Sequence, residues 1–175
     1  MGQERAVIHT TLLRTVMGRF ATGVTVVSFL AEGRPSGMTA NAFMSVSMHP
    51  PLVLISIRRE SQVNRFMGEG VRFGISVLAE SQIELCRQFA GKVMPGTEVP
   101  FIFQEEVPLL AGSLAHLAVR VVNVVEAGDH WLYISAVEYV RLGTQRKPLL
   151  FFTGGYRQVQ AHTPIINWAS EVDCS

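Results

Sequence analysis

Two long β-branched stretches near the carboxyl end, Leu114 to Val125 and Trp131 to Leu142, are separated only by Glu126-Ala-Gly-Asp-His130. Such runs favour extended backbone, and a short link carrying Gly and Asp turns the chain back on itself, so the pair predicts a long hairpin. The rest of the chain supplies partners for it. Val24-Thr-Val-Val-Ser-Phe29 passes through Glu32-Gly-Arg-Pro35 to Met38–Phe43 as a second hairpin. Leu52–Ile57, after Pro50-Pro51, is apolar at consecutive positions and predicts a buried central strand. Val71, Phe73, Ile75 and Val77 recur with a period near two, and Leu149–Phe152 adds a short strand. Helices are few. Leu12, Leu13, Val16, Met17 and Phe20 share one helical face, with Thr10 or Thr11 to cap it and Gly23 to stop it. Ser81-Gln-Ile-Glu84 has the spacing of a capping box opening a helix with Ile83, Cys86 and Phe89 on one side. Gly91 to Pro108 reads as irregular. About seven strands and two or three short helices predict a β-barrel or sandwich with helices packed outside it.

Length and composition narrow the function classes. A chain of 175 residues, 48% hydrophobic and 17% charged, is the size of one domain, able to bury roughly 70% of its unfolded surface. We expect one domain over residues 1–160 and a tail over 161–175, where periodicity is lost after Pro164. A formal net charge of +1 without a basic stripe argues against nucleic acid. Cys86 and Cys174 have no CxxC partners, so neither a zinc cage nor a disulfide framework follows, and a reducing, cytoplasmic setting is expected. The amino end lacks the basic and apolar regions of an export signal, position 6 is Ala where myristoylation favours Ser or Thr, and no apolar run approaches the ~20 residues of a membrane span. The mean hydropathy of +0.27 is high for a monomer of this size and predicts a homodimer that covers apolar surface.

Common catalytic signatures are missing. Gly68-Glu-Gly70 ends in Phe73 where a dinucleotide fingerprint requires glycine, Gly91-Lys92 lacks the upstream glycine of a phosphate loop, no histidine pair has HExxH spacing, and there is no GxSxG elbow. The unusual stretch is Gly37–Gln62. Thr39, Asn41, Ser45, Ser47 and Ser56 offer hydroxyls and an amide, while Gly37, Ala40 and Ala42 let a flat ligand approach the backbone. After the strand Leu52–Ile57, Arg58-Arg-Glu-Ser61 runs into Gln62–Met67 with Ser61 as N-cap, which is either a phosphate seat or a capped turn with solvated arginines.

As an ordered set, Phe20-Ala-Thr-Gly-Val-Thr-Val-Val27, Gly37-Met-Thr-Ala-Asn-Ala-Phe43, Ser45-Val-Ser-x-x-Pro-Pro-Leu-Val-Leu54, Phe73-x-Ile-Ser-Val-Leu-Ala79, Gln88-Phe-Ala90, Gly112-Ser-Leu-Ala115 and Gly128-Asp-His130 resemble the flavin reductase family. This family includes the small reductase components of two-component flavin-dependent monooxygenases. The resemblance runs from about Met17 to Tyr156. It implies an FMN-binding split β-barrel, mainly β with flanking helices and Greek-key-like, assembled as a homodimer. It implies reduction of FMN, or of FAD, by NADH or NADPH and release of reduced flavin to a monooxygenase partner. Thr39, Ala40, Asn41, Ala42 and Phe43 are then expected against isoalloxazine and ribityl groups, with Ser45 nearby and Ser56, Ile57, Arg58 and Ser61 along the rest of the flavin. Phe89, Ala90, Gly91 and Lys92 close its phosphate side, Lys92 and then Arg58 being the charge partners. By the same resemblance His130 binds and orients the nicotinamide, and Tyr156 is a second contact with its hydroxyl in water. From the residues alone, Phe89 is equally a core residue of its helix, His130 a solvated turn residue and Tyr156 an aromatic closing the barrel. A non-catalytic flavin- or haem-binding barrel, and a carrier of apolar ligands, are the alternatives to turnover. FMN is preferred to FAD because no adenine-binding aromatic pocket is visible in the sequence.

Overall fold

The computed structural model describes residues 8–92, 96, 98–145 and 147–160. In chain order its elements are α1 (Thr10–Met17), β1 (Thr22–Gly23), β2 (Thr25–Ala31), β3 (Arg34–Ala40), β4 (Phe43–Met48), β5 (Pro51–Arg58), β6 (Arg72–Val77), α2 (Ile83–Phe89), β7 (Phe101–Gln104), β8 (Val107–Leu110), β9 (Ala115–Ala127), β10 (His130–Leu142), β11 (Leu149–Phe152) and β12 (Gly155–Gln158). Short 3-10 turns cover Gln62–Phe66 and Glu80–Gln82.

The predicted long hairpin is the middle of the main sheet. Its strands β9 and β10 pair from His130↔Ala127 to Leu142↔Ala115, with two irregularities in register. The sheet has seven antiparallel strands in the order β3-β2-β6-β9-β10-β5-β4. That order places β3 and β4 at opposite edges, yet only Asn41 and Ala42 separate them in the chain. Flat, the edges would lie about 28 Å apart at the usual strand spacing, whereas three residue steps reach about 11 Å. The sheet is therefore forced to curl until its edges meet, and the Asn41–Ala42 corner is the seam.

Inside the curl lie Val27, Phe29, Val53, Ile55, Ile57, Phe73, Ile75, Val119, Val121 and Tyr133. A second core, Val24, Val26, Leu78, Cys86, Leu110 and Leu149, fills the outside of β2, where α2 and the small sheet β1-β11-β12 cover it. β2 is therefore buried on both faces, as are the middle of β6 and β8. In β5, Val53, Ile55 and Ile57 are buried, but Leu52, Leu54 and Ser56 are only half-buried, and β5 stands next to the edge instead of at the centre. Its second apolar face looks out of the barrel.

Other expectations need adjustment. The helix α1 ends at Gly18, five residues before Gly23, because the Thr153 N–H takes the Gly18 carbonyl at 2.8 Å and turns the chain toward β1. The cap near α2 is made not by Ser81 and Glu84 but by Gln82, whose Oε1 accepts the Ala79 N–H at 3.0 Å, while Glu84 pairs with Arg87. Gly91–Pro108 includes β7 and the start of β8, a hairpin whose burial of Val107, Leu109 and Leu110 supplies what local propensity did not announce. The tail over 161–175 and Cys174 lie outside the described residues. No described helix is long and apolar enough to cross a membrane.

Close packing around β6 gives a direct check. A Cβ on Gly74 would stand 2.2 Å from the Pro108 carbonyl and 2.8 Å from Ser28 Oγ, whereas one on Gly68 would meet nothing within 4 Å. Gly74→Ala is expected to cost about 2–3 kcal/mol by chemical denaturation and Gly68→Ala less than about 1 kcal/mol.

Candidate active site

The seam is also where the surface is hollow. A cavity of about 610 Å³ is walled by Arg14, Met17, Phe20, Phe43, Met44, Leu54 and Phe151, with Gly18, Thr22, Asn41, Ala42, Ser56 and Gly154 completing it. Its volume falls among small-molecule sites, roughly 300–1,000 Å³. A second cavity of about 190 Å³, lined by Val24, Thr39, Asn41, Ala90, Phe151 and Tyr156, shares Asn41 and Phe151 with the first. The two form one groove on either side of the corner.

Asn41 and Ala42 have no cross-strand partner, since β3 pairs up to Ala40 and β4 begins at Phe43. Both are exposed, and the corner is pinned by the Ser56 N–H, which donates to the Ala42 carbonyl at 3.0 Å. That bond sets the end of β5 against the corner. Ser56 faces the large cavity while Ile57, one residue on, is fully buried in the core, as strand alternation requires. Ala40 is also buried, leaving only its main chain beside the groove.

Some of the predicted residues line one of three cavities, and the rest lie outside them. Asn41, Ala42, Phe43 and Ser56 line the large cavity, and Thr39, Asn41, Ala90 and Tyr156 the small one. Arg58 lines a third cleft, with Arg59, Glu60, Gly128 and Asp129. Ser61 caps the 3-10 turn by accepting the Val63 N–H, and Asn64 fixes that turn by donating to the carbonyls of Arg58 at 2.8 Å and Arg59 at 3.0 Å. Ser45 is exposed on β4, Lys92 is exposed just past α2, and Gly91 holds φ 86 at the helix end. His130 opens β10 directly across from Arg58. Because Ser56 pairs with Leu132, His130 is its diagonal neighbour on the same sheet face, about 7–8 Å away. The groove and the histidine are thus joined along β5.

Several of these residues have packing roles. Gly37 sits in close packing: a Cβ there would lie 2.8 Å from the Val27 carbonyl and 3.3 Å from the Phe89 ring, so the glycine admits both the β2 main chain and α2. Phe89 is accordingly a core residue, edge-on to Phe101. Thr39 gives its hydroxyl proton to the Cys86 carbonyl at 2.7 Å, fastening β3 to α2. Partial burial, and then the neighbouring Cys86 thiol, push the Tyr156 hydroxyl's pKa up to about 12. Burial likewise raises the Cys86 thiol. The Tyr156 ring meets Phe151 edge-on at 5.6 Å, forming the wall of the small cavity.

Sequence reasoning missed the opposite wall, namely Arg14, Met17, Phe20 and Thr22, and Phe151. The available signal was the Phe20-Ala-Thr-Gly segment, quoted among the family motifs but read locally only as the end of the opening helix. Thr22 Oγ1 is buried without a hydrogen-bond partner while its residue lines the large cavity. A buried hydroxyl left unpaired is costly. A flat heteroaromatic ligand with carbonyl and ring-nitrogen acceptors would satisfy it, so the groove fits a flavin.

Residues 17–160 match the family model described as flavin reductase like domain. The chain belongs to this family. It is 42% identical over 151 residues, 85% of each chain, to the NADH-dependent flavin reductase of a Rhodococcus species. Among solved structures it resembles the styrene monooxygenase flavin reductase of Pseudomonas putida (33% identity, TM-score 0.77, covering 86% of this chain and 99% of that one). It also resembles the Streptomyces globisporus NADH:FAD oxidoreductase in complex with NAD and FAD fragments (36% identity, TM-score 0.77, covering 90% and 94%). The flavin reductase fold inferred from the motifs is thus the observed one.

Removing the Tyr156 hydroxyl reports its raised pKa. An unfolded tyrosine ionises near ~10, whereas Tyr156 keeps its proton until about 12. Over that window the native state binds more protons than the unfolded state, so stability falls as pH rises. The urea midpoint of the wild-type protein should drop more between pH ~9 and ~11.5 than that of Tyr156→Phe. Parallel curves would place the hydroxyl in water.

Proposed function

We propose that this oxidoreductase binds a flavin across the Asn41–Ala42 corner, reduces it with NADH and hands the reduced flavin to a separate monooxygenase. The observation that carries the reading is the corner itself: an exposed stretch of main chain outside the strand ladders, shared by both halves of a groove. The chemistry supplied by the bound pair is hydride transfer from dihydronicotinamide to flavin. The chain's task is to stack and orient the two rings. The corner offers main-chain donors to the ring edge, Phe43, Leu54 and Phe151 provide flat apolar walls, and Ser56 and Thr22 meet polar atoms. Lys92 and Arg58 are assigned to phosphate groups, and His130 to orientation of the nicotinamide from the far end of β5. Tyr156, with its hydroxyl turned to Cys86, is assigned to the wall beside the flavin.

FMN is the recognised unit in this reading, and FAD is accepted because it contains the same unit. NADH is favoured as donor because it is the donor of similar reductases. Cys86 is a free buried thiol, which suits the cytoplasm. A homodimer is supported by apolar side chains left in water on α1, just after it and on β4: Leu12, Val16, Phe20, Val46 and Met48 are 45–72% exposed. The open groove leaves reduced flavin free to depart.

Anaerobic mixing of the protein with NADH and excess FMN or FAD tests the activity: many equivalents of flavin should bleach per subunit. A single equivalent would indicate a bound carrier instead. His130→Ala is expected to raise KM for NADH about tenfold, roughly 1.4 kcal/mol, with flavin affinity unchanged. In sedimentation the protein should run as a dimer, and Val46→Glu with Met48→Glu should yield monomers.

A further inference from the structure

The turn carrying His130 constrains the imidazole from both sides. Gly128 takes φ 62, and the Asp129 carbonyl accepts the Arg59 N–H at 3.0 Å, locking the turn to the end of β5. From that fixed main chain Asp129 Oδ1 reaches His130 Nδ1 at 2.8 Å. The bond to His130 holds the Asp129 carboxyl below its usual range, and the Arg58 charge acts in the same direction. An ionised carboxylate only accepts hydrogen bonds, so in a neutral imidazole the proton sits on Nδ1 and Nε2 keeps a bare lone pair. The other charged neighbours are Arg58, directly across on β5, and Arg59, which is held by Glu126 and stacked over Trp131 at 5.3 Å. The ring is 33% exposed, partly sheltered, with Nε2 as its unengaged nitrogen among the described residues.

We infer that Asp129 is a positioning residue, which presents His130 Nε2 as an acceptor for the NH2 of the nicotinamide carboxamide. The inference rests on the proposed placement of nicotinamide beside His130. A carboxamide offers both a donor and an acceptor, and a lone pair on Nε2 selects the donor. The site is thereby selective for dinucleotides carrying that NH2, because a site built to hydrogen-bond a group rejects analogues that lack it.

The probes are NAD+ and its 3-acetylpyridine analogue, in which a methyl replaces the NH2. Both are titrated calorimetrically into protein saturated with oxidised FMN. The wild type is expected to bind NAD+ about tenfold more tightly, the scale of one hydrogen bond. Asp129→Ala should reduce that preference to about twofold or less. Asp129→Asn should do the same, because its amide can donate to Nδ1 and reverse the tautomer. Imidazole ¹⁵N shifts in the ligand-free protein give an independent readout: Nδ1–H in the wild type, and a shift toward Nε2–H in both variants. An Nε2–H tautomer in the wild type, or a full preference in Asp129→Ala, overturns the positioning role. A full preference in His130→Ala overturns the nicotinamide placement itself.

Discussion

Everything about this molecule follows from a short link between the two edges of one sheet. Asn41 and Ala42 must carry the chain from β3 to β4, across the full width of seven strands. Extended backbone cannot reach that far unless the sheet rolls up. Rolling up buries the faces of β5, β6, β9 and β10 against β2, and leaves a seam where two residues lack a cross-strand partner. Backbone groups left out of a ladder are normally satisfied by water or by a ligand. The seam is therefore both the consequence of closure and the most hospitable place for a planar polar ring.

The surroundings of the seam are held by a few specific bonds. Ser56 fixes the corner through the Ala42 carbonyl, Thr39 ties β3 to α2 through the Cys86 carbonyl, and Thr153 fastens the end of α1 to the β11–β12 turn through Gly18. Of these, only the Thr39 bond spends a side-chain hydroxyl; the Ser56 and Thr153 bonds use main-chain N–H groups. What the groove presents is the main chain of the corner, Ser56, the unpaired Thr22 hydroxyl and a rim of aromatic and sulfur-containing side chains. The groove is chiefly a shaped apolar slot with a polar edge, which suits chemistry that belongs to the bound molecules.

Legibility varied with how local the determining physics was. The β9–β10 hairpin, β6 and the apolar face of α2 were visible because period and turn residues act within a few positions. The hairpin Phe101–Leu110 was not, since a loop composition conceals strands whose stability comes from burial of Val107, Leu109 and Leu110 by distant elements. Leu52–Ile57 misled in a different way: an apolar run suggests burial on both faces, yet Leu54 faces a cavity outside the barrel. At the site, Asn41, Ala42, Phe43 and Ser56 were legible as a motif, whereas Arg14, Thr22 and Phe151 come from segments far along the chain that meet only at the seam.

The amino-acid sequence by itself determined the strand-forming segments, the small residues at Thr39–Phe43 and the kinship with flavin reductases, because these depend on side-chain type, spacing and order. Tertiary structure decided which hydroxyls are spent on packing, that Tyr156 turns its hydroxyl to Cys86 and that His130 shares a sheet face with Ser56. Those outcomes depend on register across strands and on which distant backbone carbonyl comes within hydrogen-bond reach. Both are fixed only when the edges of the sheet close.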